Sequence, residues 1–217
     1  IAVGVENECA WTPPVSLAAQ IPNATSGWGT ILCDTYVNGN LVSTNTCAFQ
    51  LTVPASVVPS ISNVAFSEAT SGIADRFGGY VRTRSKLSVS ITAAGTQGSS
   101  ISAYRTSIDS VTYSGSSFTS NTLNTAGNLT MTVTVTDSRG RTASTTRTIT
   151  VLDYSPPSLS QFTAERCNAD GTAAQTDGTK VRISAKASGS SVGGKNTLAC
   201  TVYYKLSNAE SWVSAVT

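Results

Sequence analysis

The chain has 217 residues, of which 40% are hydrophobic and only 12% are charged. That charged share is about half of the usual ~25%, and Ser and Thr supply the polarity, which favours β-strands with uncharged outer faces. A net charge of +2 is too small to indicate a nucleic-acid partner, and no segment reaches the ~18 apolar residues of a bilayer-inserted span. The chain has no histidine, which removes the commonest general base and the commonest zinc ligand.

The first strong pattern along the chain is a β-hairpin. Alternating apolar and β-branched residues predict strands over residues 30–36 and 41–53, joined by the turn Asn38-Gly39. Phe49, Leu51 and Val53 are expected to share one face of the second strand. Residues 16–21, which precede the hairpin, are compatible with a single turn of helix.

Five cysteines lie at wide spacings with no CxxC pair, which argues against a zinc knuckle or a thioredoxin-like site. A regular Asn-Gly turn places Cys33 opposite Thr44 and Cys47 opposite Thr30, so the two thiols point to opposite faces. A disulfide between them needs a bulge or another register. The cysteines are therefore expected to be free and buried as small apolar residues, which suits assembly in a reducing cytosol.

A Pro-bounded connector over residues 54–60 leads into a longer segment that ends near Asp153. Leu87, Val89 and Ile91 alternate with polar residues and are expected to face inward, and residues 129–136 alternate apolar residues with Thr. Further short strands are predicted at residues 101–108, 109–113, 115–118 and 146–152. About seven short strands in such a segment fit an immunoglobulin-like sandwich.

Tyr154-Ser155-Pro156-Pro157 is a second connector, stiffened by its prolines. After it, residues 159–163 are expected to begin a new module, and strands are predicted at residues 181–187 and 197–206. The sequence thus predicts an all-β chain of tandem immunoglobulin-like β-sandwich modules joined by short Pro-containing linkers. The expected modules are the C-terminal part of one module (1–54), a complete module (55–153) and the N-terminal part of a further module (154–217).

The charged residues give no pattern of a catalytic or metal site, so no catalytic residue, metal or cofactor is expected. Arg139, Arg141 and Arg147 form the only local basic cluster and are interpreted as a hairpin tip with a solvated strand face. Asp170-Gly171 and Asp177-Gly178 lack the spacing of an EF-hand and indicate turns.

Two alternatives stay open for the acidic residues. A calcium site could use Asp153 and Glu165 beside the second connector. A cleft built from paired carboxylates would support an enzyme, because such pairs can meet in space without a sequence motif.

The three tryptophans are the residues that a carbohydrate-binding interpretation selects, because sugar rings stack on flat aromatic faces. Trp11 precedes Pro13-Pro14 and Trp212 lies in a predicted strand, so both are expected in the core. Trp28 lies between Gly27 and Gly29, and it is the candidate ligand-binding residue.

Several stretches resemble a known family in the same order along the chain: WTPP (11–14), LAAQIPNATSG (17–27), FQLTVP (49–54), LSVSI (87–91), TVTVTDSRGRT (132–142), YSPP (154–157) and ERCN (165–168). Together they resemble an uncharacterised family of siphovirus structural proteins from phages and prophages of Gram-positive bacteria. Members of that family are long, tail-associated and carry tandem immunoglobulin-like repeats.

The resemblance implies a structural component of the phage tail or tail fibre, made in the bacterial cytoplasm, that serves as a modular spacer and in host-surface adhesion. It implies other phage tail proteins as partners, with host cell-wall polysaccharide and a homo-oligomer of the parent chain as candidates. Neither nucleic acid nor membrane insertion is expected. The alternative function is a dedicated carbohydrate-binding module of a phage or bacterial surface protein.

Overall fold

The structure is a computed structural model that describes residues 11–174 and 176–215. Most of its regular structure is β-strand, with one short 3-10 helix (Val15–Gln20) and one short α-helix among the described residues. The prediction of an all-β chain is therefore confirmed. The helical segment before the first hairpin is also present, but it has six residues, or two turns of 3-10 helix, instead of a single turn.

The remaining elements are, in chain order, β1 (Ser26–Val37), β2 (Asn40–Thr52), β3 (Ser60–Glu68), α1 (Ile73–Phe77), β4 (Tyr80–Val81), β5 (Leu87–Ala94), β6 (Ile101–Ile108), β7 (Val111–Ser114), β8 (Ser117–Thr119), β9 (Gly127–Asp137), β10 (Thr142–Leu152), β11 (Ser158–Cys167), β12 (Lys180–Ser188), β13 (Tyr203–Tyr204) and β14 (Val213–Ser214). These elements fall into two units. One holds the described residues up to 67 with 88–120 and 130–148, and the other holds 68–87, 121–129 and the described residues from 149 onward. The module boundaries expected near residues 54 and 153 stay a prediction.

In the first unit, β1 and β2 form the predicted hairpin, and Val37 pairs with Asn40 across the turn. Asn38 and Gly39 both have positive φ, which a two-residue turn of this kind requires. Val53 is buried and Phe49 and Leu51 are half-buried, whereas Gln50 and Thr52 are exposed. The predicted face of the second strand is therefore confirmed.

Two larger sheets follow the hairpin. A three-stranded sheet has the order β3-β5-β8, and a five-stranded sheet has the order β4-β10-β9-β6-β7. The pair β4–β10 is parallel, whereas β9 runs antiparallel to β6. In the tight turn between β6 and β7, Asp109 and Ser110 both take positive φ.

The buried residues of these sheets follow the two-residue period of the strands. Leu87, Val89 and Ile91 are buried in β5, as predicted, and every second residue of β9 from Met131 to Val135 is buried. Because successive side chains of a strand point to opposite faces, β5 and β9 each bury one face. The Thr residues between them in β9 are half-buried.

In the second unit, β11 pairs with β12 and β13 pairs with β14, both antiparallel. The strand predicted over residues 197–206 is wrong in extent, because only Tyr203 and Tyr204 belong to a strand. The partner strand β14 offers only the two residues Val213 and Ser214, so the ladder is equally short.

The cysteines differ from expectation because the hairpin contains a β-bulge between Thr35 and Tyr36. The bulge shifts the register by one residue, so Cys33 opposes Asn45 and Cys47 opposes Ile31. Both thiols therefore lie on one face as diagonal neighbours, a relation in which Cα atoms are ~7–8 Å apart and exceed the usual disulfide span. Both are free.

The expected burial of the cysteines is wrong for Cys33, Cys47 and Cys200, which are exposed, and correct for Cys167. Cys33 and Cys47 lie where every residue of the hairpin from 30 to 48 is exposed, and Cys200 lies outside any strand, whereas Cys167 also forms a bridge with Ala173. Cys167, at the end of β11, retains only 3% of its surface exposed. Burial therefore separates Cys167 from Cys33, Cys47 and Cys200, while Cys9 lies outside the described residues.

This difference predicts two classes of thiol reactivity. In a Cys9→Ser background, Cys33, Cys47 and Cys200 are expected to react with Ellman's reagent in the native protein, because their thiols are accessible. Cys167 is expected to react only after denaturant unfolds the chain. Reaction of Cys167 in the native state at the rate of the other three thiols would contradict the structure.

Candidate functional site

Trp28, the predicted ligand-binding residue, lies in β1 and pairs with Gln50 of β2. Its side chain is 76% exposed, which confirms the expected exposure. Alternation along the strand places Trp28 on the face opposite to that of Phe49 and Leu51. A large aromatic ring is thereby presented to solvent from a regular strand instead of from a loop.

The two glycines that flank Trp28 serve close packing on the other face of the hairpin. A Cβ atom at Gly29 would lie 2.7 Å from Cε1 of the Phe49 ring, and one at Gly27 would lie 2.9 Å from Cδ1 of Ile21. Phe49 and Ile21 therefore lie directly against the strand backbone. The pattern Gly-Trp-Gly therefore reflects close packing on the opposite face of the strand.

An open groove of about 590 Å³ runs beside this part of the hairpin. Its volume is in the range of small-ligand sites. The lining is mainly apolar and contains no charged residue; it consists of Trp11, Leu17, Gln20, Ile21, Gly27, Trp28, Gly29, Thr30, Phe49 and Leu51. Such a lining offers aromatic surface and a few neutral hydrogen-bonding groups. It suits an uncharged ligand better than an anionic one.

The expectation that Trp11 and Trp212 belong to the core is wrong. Trp11 borders the groove with 56% of its surface exposed, and Trp212 is 63% exposed. Lys205 places its Nζ 5.3 Å from the centroid of the Trp212 ring, a cation–π contact at the surface. The short two-stranded sheets beside both residues have too few side chains to bury an indole.

The hairpin also exposes large hydrophobic side chains on both of its faces. They are Trp28, Ile31, Leu32, Tyr36, Val37, Leu41 and Val42. An isolated two-stranded hairpin is at best marginally stable in water, and apolar surface of this kind marks interaction sites. The hairpin is therefore the candidate binding element of the chain.

The carboxylates that were considered for calcium are engaged with other groups. Asp153 pairs with Arg82 at 2.9 Å, and Glu165 accepts a hydrogen bond of 2.7 Å from Nε of Arg182. Among residues 11–174 and 176–215, no three His, Cys, Asp or Glu residues lie close enough together to hold a metal ion.

Asp170 lies in a turn that its own side chain stabilises. Its Oδ1 accepts hydrogen bonds from the backbone amide of Thr172 at 2.9 Å and from the Thr172 hydroxyl at 2.7 Å. These bonds, the amide first, hold the pKa of Asp170 below its ordinary value. The interpretation of Asp170-Gly171 as a turn is therefore correct.

The interpretation of the arginine cluster as solvated is wrong for Arg139 and Arg141. The side chain of Arg139 is fully buried, and Arg141 is half-buried. Both guanidinium groups bind main-chain carbonyl oxygens from distant segments, including Ala18 and Val53. Arg147 alone is exposed, as predicted.

No helix among the described residues is long and apolar enough to cross a membrane.

No curated protein and no solved structure matches the chain. A family model described as "Siphovirus protein of unknown function (DUF859)" matches residues 1–213. The resemblance to a siphovirus family is thereby confirmed, while the immunoglobulin-like repeats and the Gram-positive host stay predictions. The chain therefore belongs to this family of siphovirus proteins, which indicates a virion-associated phage structural protein.

Proposed function

We propose that the chain is a modular spacer of the siphovirus tail or tail fibre and that its first hairpin contributes adhesion to the host surface. The observation that carries the adhesive part is the exposed indole of Trp28 on a strand that borders an uncharged groove. The host would be a Gram-positive bacterium, with cell-wall polysaccharide as the ligand. Other tail proteins and further copies of the chain are the proposed partners of the apolar hairpin faces.

The proposed spacer consists of immunoglobulin-like modules. Its support is the pair of sheets β3-β5-β8 and β4-β10-β9-β6-β7, built from short, mostly antiparallel strands, of which β5 and β9 bury one face by strict alternation. Those are the components of an immunoglobulin-like sandwich. Connectors that contain proline, at Pro54 and Pro59 and again at Pro156 and Pro157, are stiffer than Gly/Ser linkers.

The proposed role is binding and not chemistry. The groove lining contains no acid, lysine, arginine or cysteine, so it provides no pair of groups for acid–base or nucleophilic catalysis. Adhesion of this kind works through multivalency. Weak contacts that are repeated on one particle raise avidity by a factor of ~10²–10⁴.

Trp28→Ala tests the adhesive site in a pull-down of the purified protein with host cells and with isolated wall polysaccharide. Loss of the indole is expected to weaken binding by about 2 kcal/mol, or about thirtyfold in Kd, as for an aromatic hot spot. The fold should be unaffected, because surface substitutions usually change stability by less than ~0.5 kcal/mol.

Trp212→Ala is the matched control, because Trp212 is also exposed but does not line the groove. Its binding is expected to equal that of the wild type. Equal affinity for Trp28→Ala and the wild type would remove the groove as the adhesive site. Failure of the folded wild-type protein to bind either host cells or wall polysaccharide would reduce the proposed function to that of a spacer.

A dedicated carbohydrate-binding module is the second candidate, and the uncharged groove lining favours it. Titration with a neutral wall oligosaccharide discriminates between the two functions. Saturable one-site binding to the isolated protein supports the dedicated module. Binding that appears only with polymeric wall material or whole cells supports the multivalent spacer.

A further inference from the structure

The turn between β9 and β10 is organised by a buried carboxylate. Asp137 is 1% exposed, and its Oδ1 accepts hydrogen bonds from the backbone amides of Arg139 at 3.0 Å and Arg141 at 2.9 Å. Gly140, between the two arginines, has a φ of +79°, a conformation that favours glycine. The carboxylate and the glycine together fix the turn from which both guanidinium groups project.

Arg139 binds two separate segments of the chain. Its Nε donates to the carbonyl of Ile21 at 2.8 Å, and its Nη2 donates to the carbonyl of Ala18 at 2.8 Å. Nη1 donates to the carbonyl of Thr96 at 2.8 Å, and Nη2 also donates to that of Gln97. The guanidinium therefore ties the end of the 3-10 helix to the loop between β5 and β6.

Arg141 binds the connector that follows the hairpin. Its Nη2 donates to the carbonyl of Val53 at 2.5 Å, and its Nη1 donates to those of Pro54 and Val57, the latter at 2.9 Å. Ser138 adds a hydrogen bond of 2.5 Å from its hydroxyl to the carbonyl of Pro22. Both ends of the β1–β2 hairpin are thus attached to the same turn.

Apolar side chains also pack together beside the carbonyl groups that the two arginines bind. Ala18, Val53 and Val57 form a buried cluster with Ile21 packed against it. A Cβ atom at Gly98 would lie 3.0 Å from the carbonyl oxygen of Ala19, so the β5–β6 loop approaches the 3-10 helix closely. The guanidinium of Arg139 has no exposed surface, and such shielding from water strengthens charged hydrogen bonds.

We propose that Asp137, Arg139 and Arg141 form a clamp that holds the β1–β2 hairpin at a fixed angle on the sheets that follow it. The clamp binds main-chain carbonyls, so it recognises the backbone conformation of the connector and not its side chains. A connector held in this way restricts the motion of the hairpin relative to these sheets. This clamp goes beyond the proposed adhesive role and does not depend on it.

Pulsed electron paramagnetic resonance tests the clamp by the width of one distance distribution. One spin label is placed on Cys33 of the hairpin and the other on Thr112→Cys, an exposed position of β7. The other cysteines are replaced by Ser, or by Ala at Cys167. The otherwise wild-type protein is expected to give a narrow distribution, and the Arg139→Gln/Arg141→Gln variant a clearly broader one.

Arg147→Gln is the matched control, because this exposed arginine lies in β10 outside the clamp and is expected to keep the narrow distribution. A narrow distribution in the folded double variant would overturn the proposal. If the double variant does not fold, the single variant Arg141→Gln is tested instead, by measuring its rate of cleavage with proteinase K in limited proteolysis. Cleavage within residues 53–60 about tenfold faster than in Arg147→Gln supports the clamp, and an equal rate overturns it.

Discussion

Asp137→Ala is expected to lower the free energy of unfolding by about 3–5 kcal/mol, the usual cost of removing one partner of a buried ion pair. The pair joins Oδ2 of Asp137 to Nη1 of Arg139 at 3.9 Å, and both side chains are fully buried. The substitution leaves the guanidinium of Arg139, which has no exposed surface, without a counter-charge. It also removes the acceptor for the amides of Arg139 and Arg141, which are only partly able to reach water in this turn. The lost counter-charge and the lost hydrogen-bond acceptor both destabilise the folded state, so their effects on the free energy of unfolding add.

Urea denaturation monitored by tryptophan fluorescence measures this loss. Arg147→Ala is the control, because an exposed arginine outside the clamp should change stability by less than ~0.5 kcal/mol. A change of similar size in both variants would mean that the buried carboxylate contributes nothing particular to the fold.

Leu87→Ala is expected to cost about 2–5 kcal/mol, because it removes a large side chain from a site with 0% exposure and leaves a cavity. Leu87 begins the alternating pattern of β5 that was predicted to face inward. Its loss should weaken the folded state as a whole and leave the groove beside Trp28 unchanged in composition. Thermal unfolding by circular dichroism provides the measurement.

Ser88→Ala is the matched control for Leu87→Ala, because Ser88 is the next residue of the strand and is exposed. Its melting temperature is expected to remain close to that of the wild type. Equal losses in the two variants would show that β5 does not bury one face in solution.

The strands were predictable from the sequence because their period of two reflects burial directly. In β5 and over residues 131–135 of β9 the buried residues are the apolar ones, one in every two, so the alternation of residue types predicts directly which face is buried. The Asn38-Gly39 turn was equally predictable, because positive φ at both positions restricts the residue choice. Local physical chemistry determines these features.

The arginine clamp was not predictable in the same way, because its partners are distant in sequence. Arg139 donates to the carbonyl of Ala18, 121 positions away. Because every residue has a main-chain carbonyl, no residue type in the sequence marks this acceptor. A signal did exist: Asp137 two residues before Arg139, with Gly140 after it, is typical of a turn whose carboxylate binds backbone amides. That signal indicated the turn but not the burial of the guanidinium.

The β-bulge beside Tyr36 and the exposure of Trp11 and Trp212 belong to the same class of features. A bulge changes the register by one residue without a diagnostic residue type, so the facing of Cys33 and Cys47 could not be derived from the turn alone. The exposure of an indole depends on whether other elements cover it. For Trp28 the sequence suggested the exposure correctly, although the flanking glycines serve Phe49 and Ile21.

The most direct test of the proposed function is quantitative mass spectrometry of gradient-purified particles of the phage that encodes this chain. A structural component of the tail is expected to yield its peptides in the purified virion at a copy number comparable to that of other minor tail proteins. Peptides that are abundant in the infected-cell lysate but absent from purified virions would contradict the account, because neither a spacer nor an adhesin of the tail can act apart from the particle.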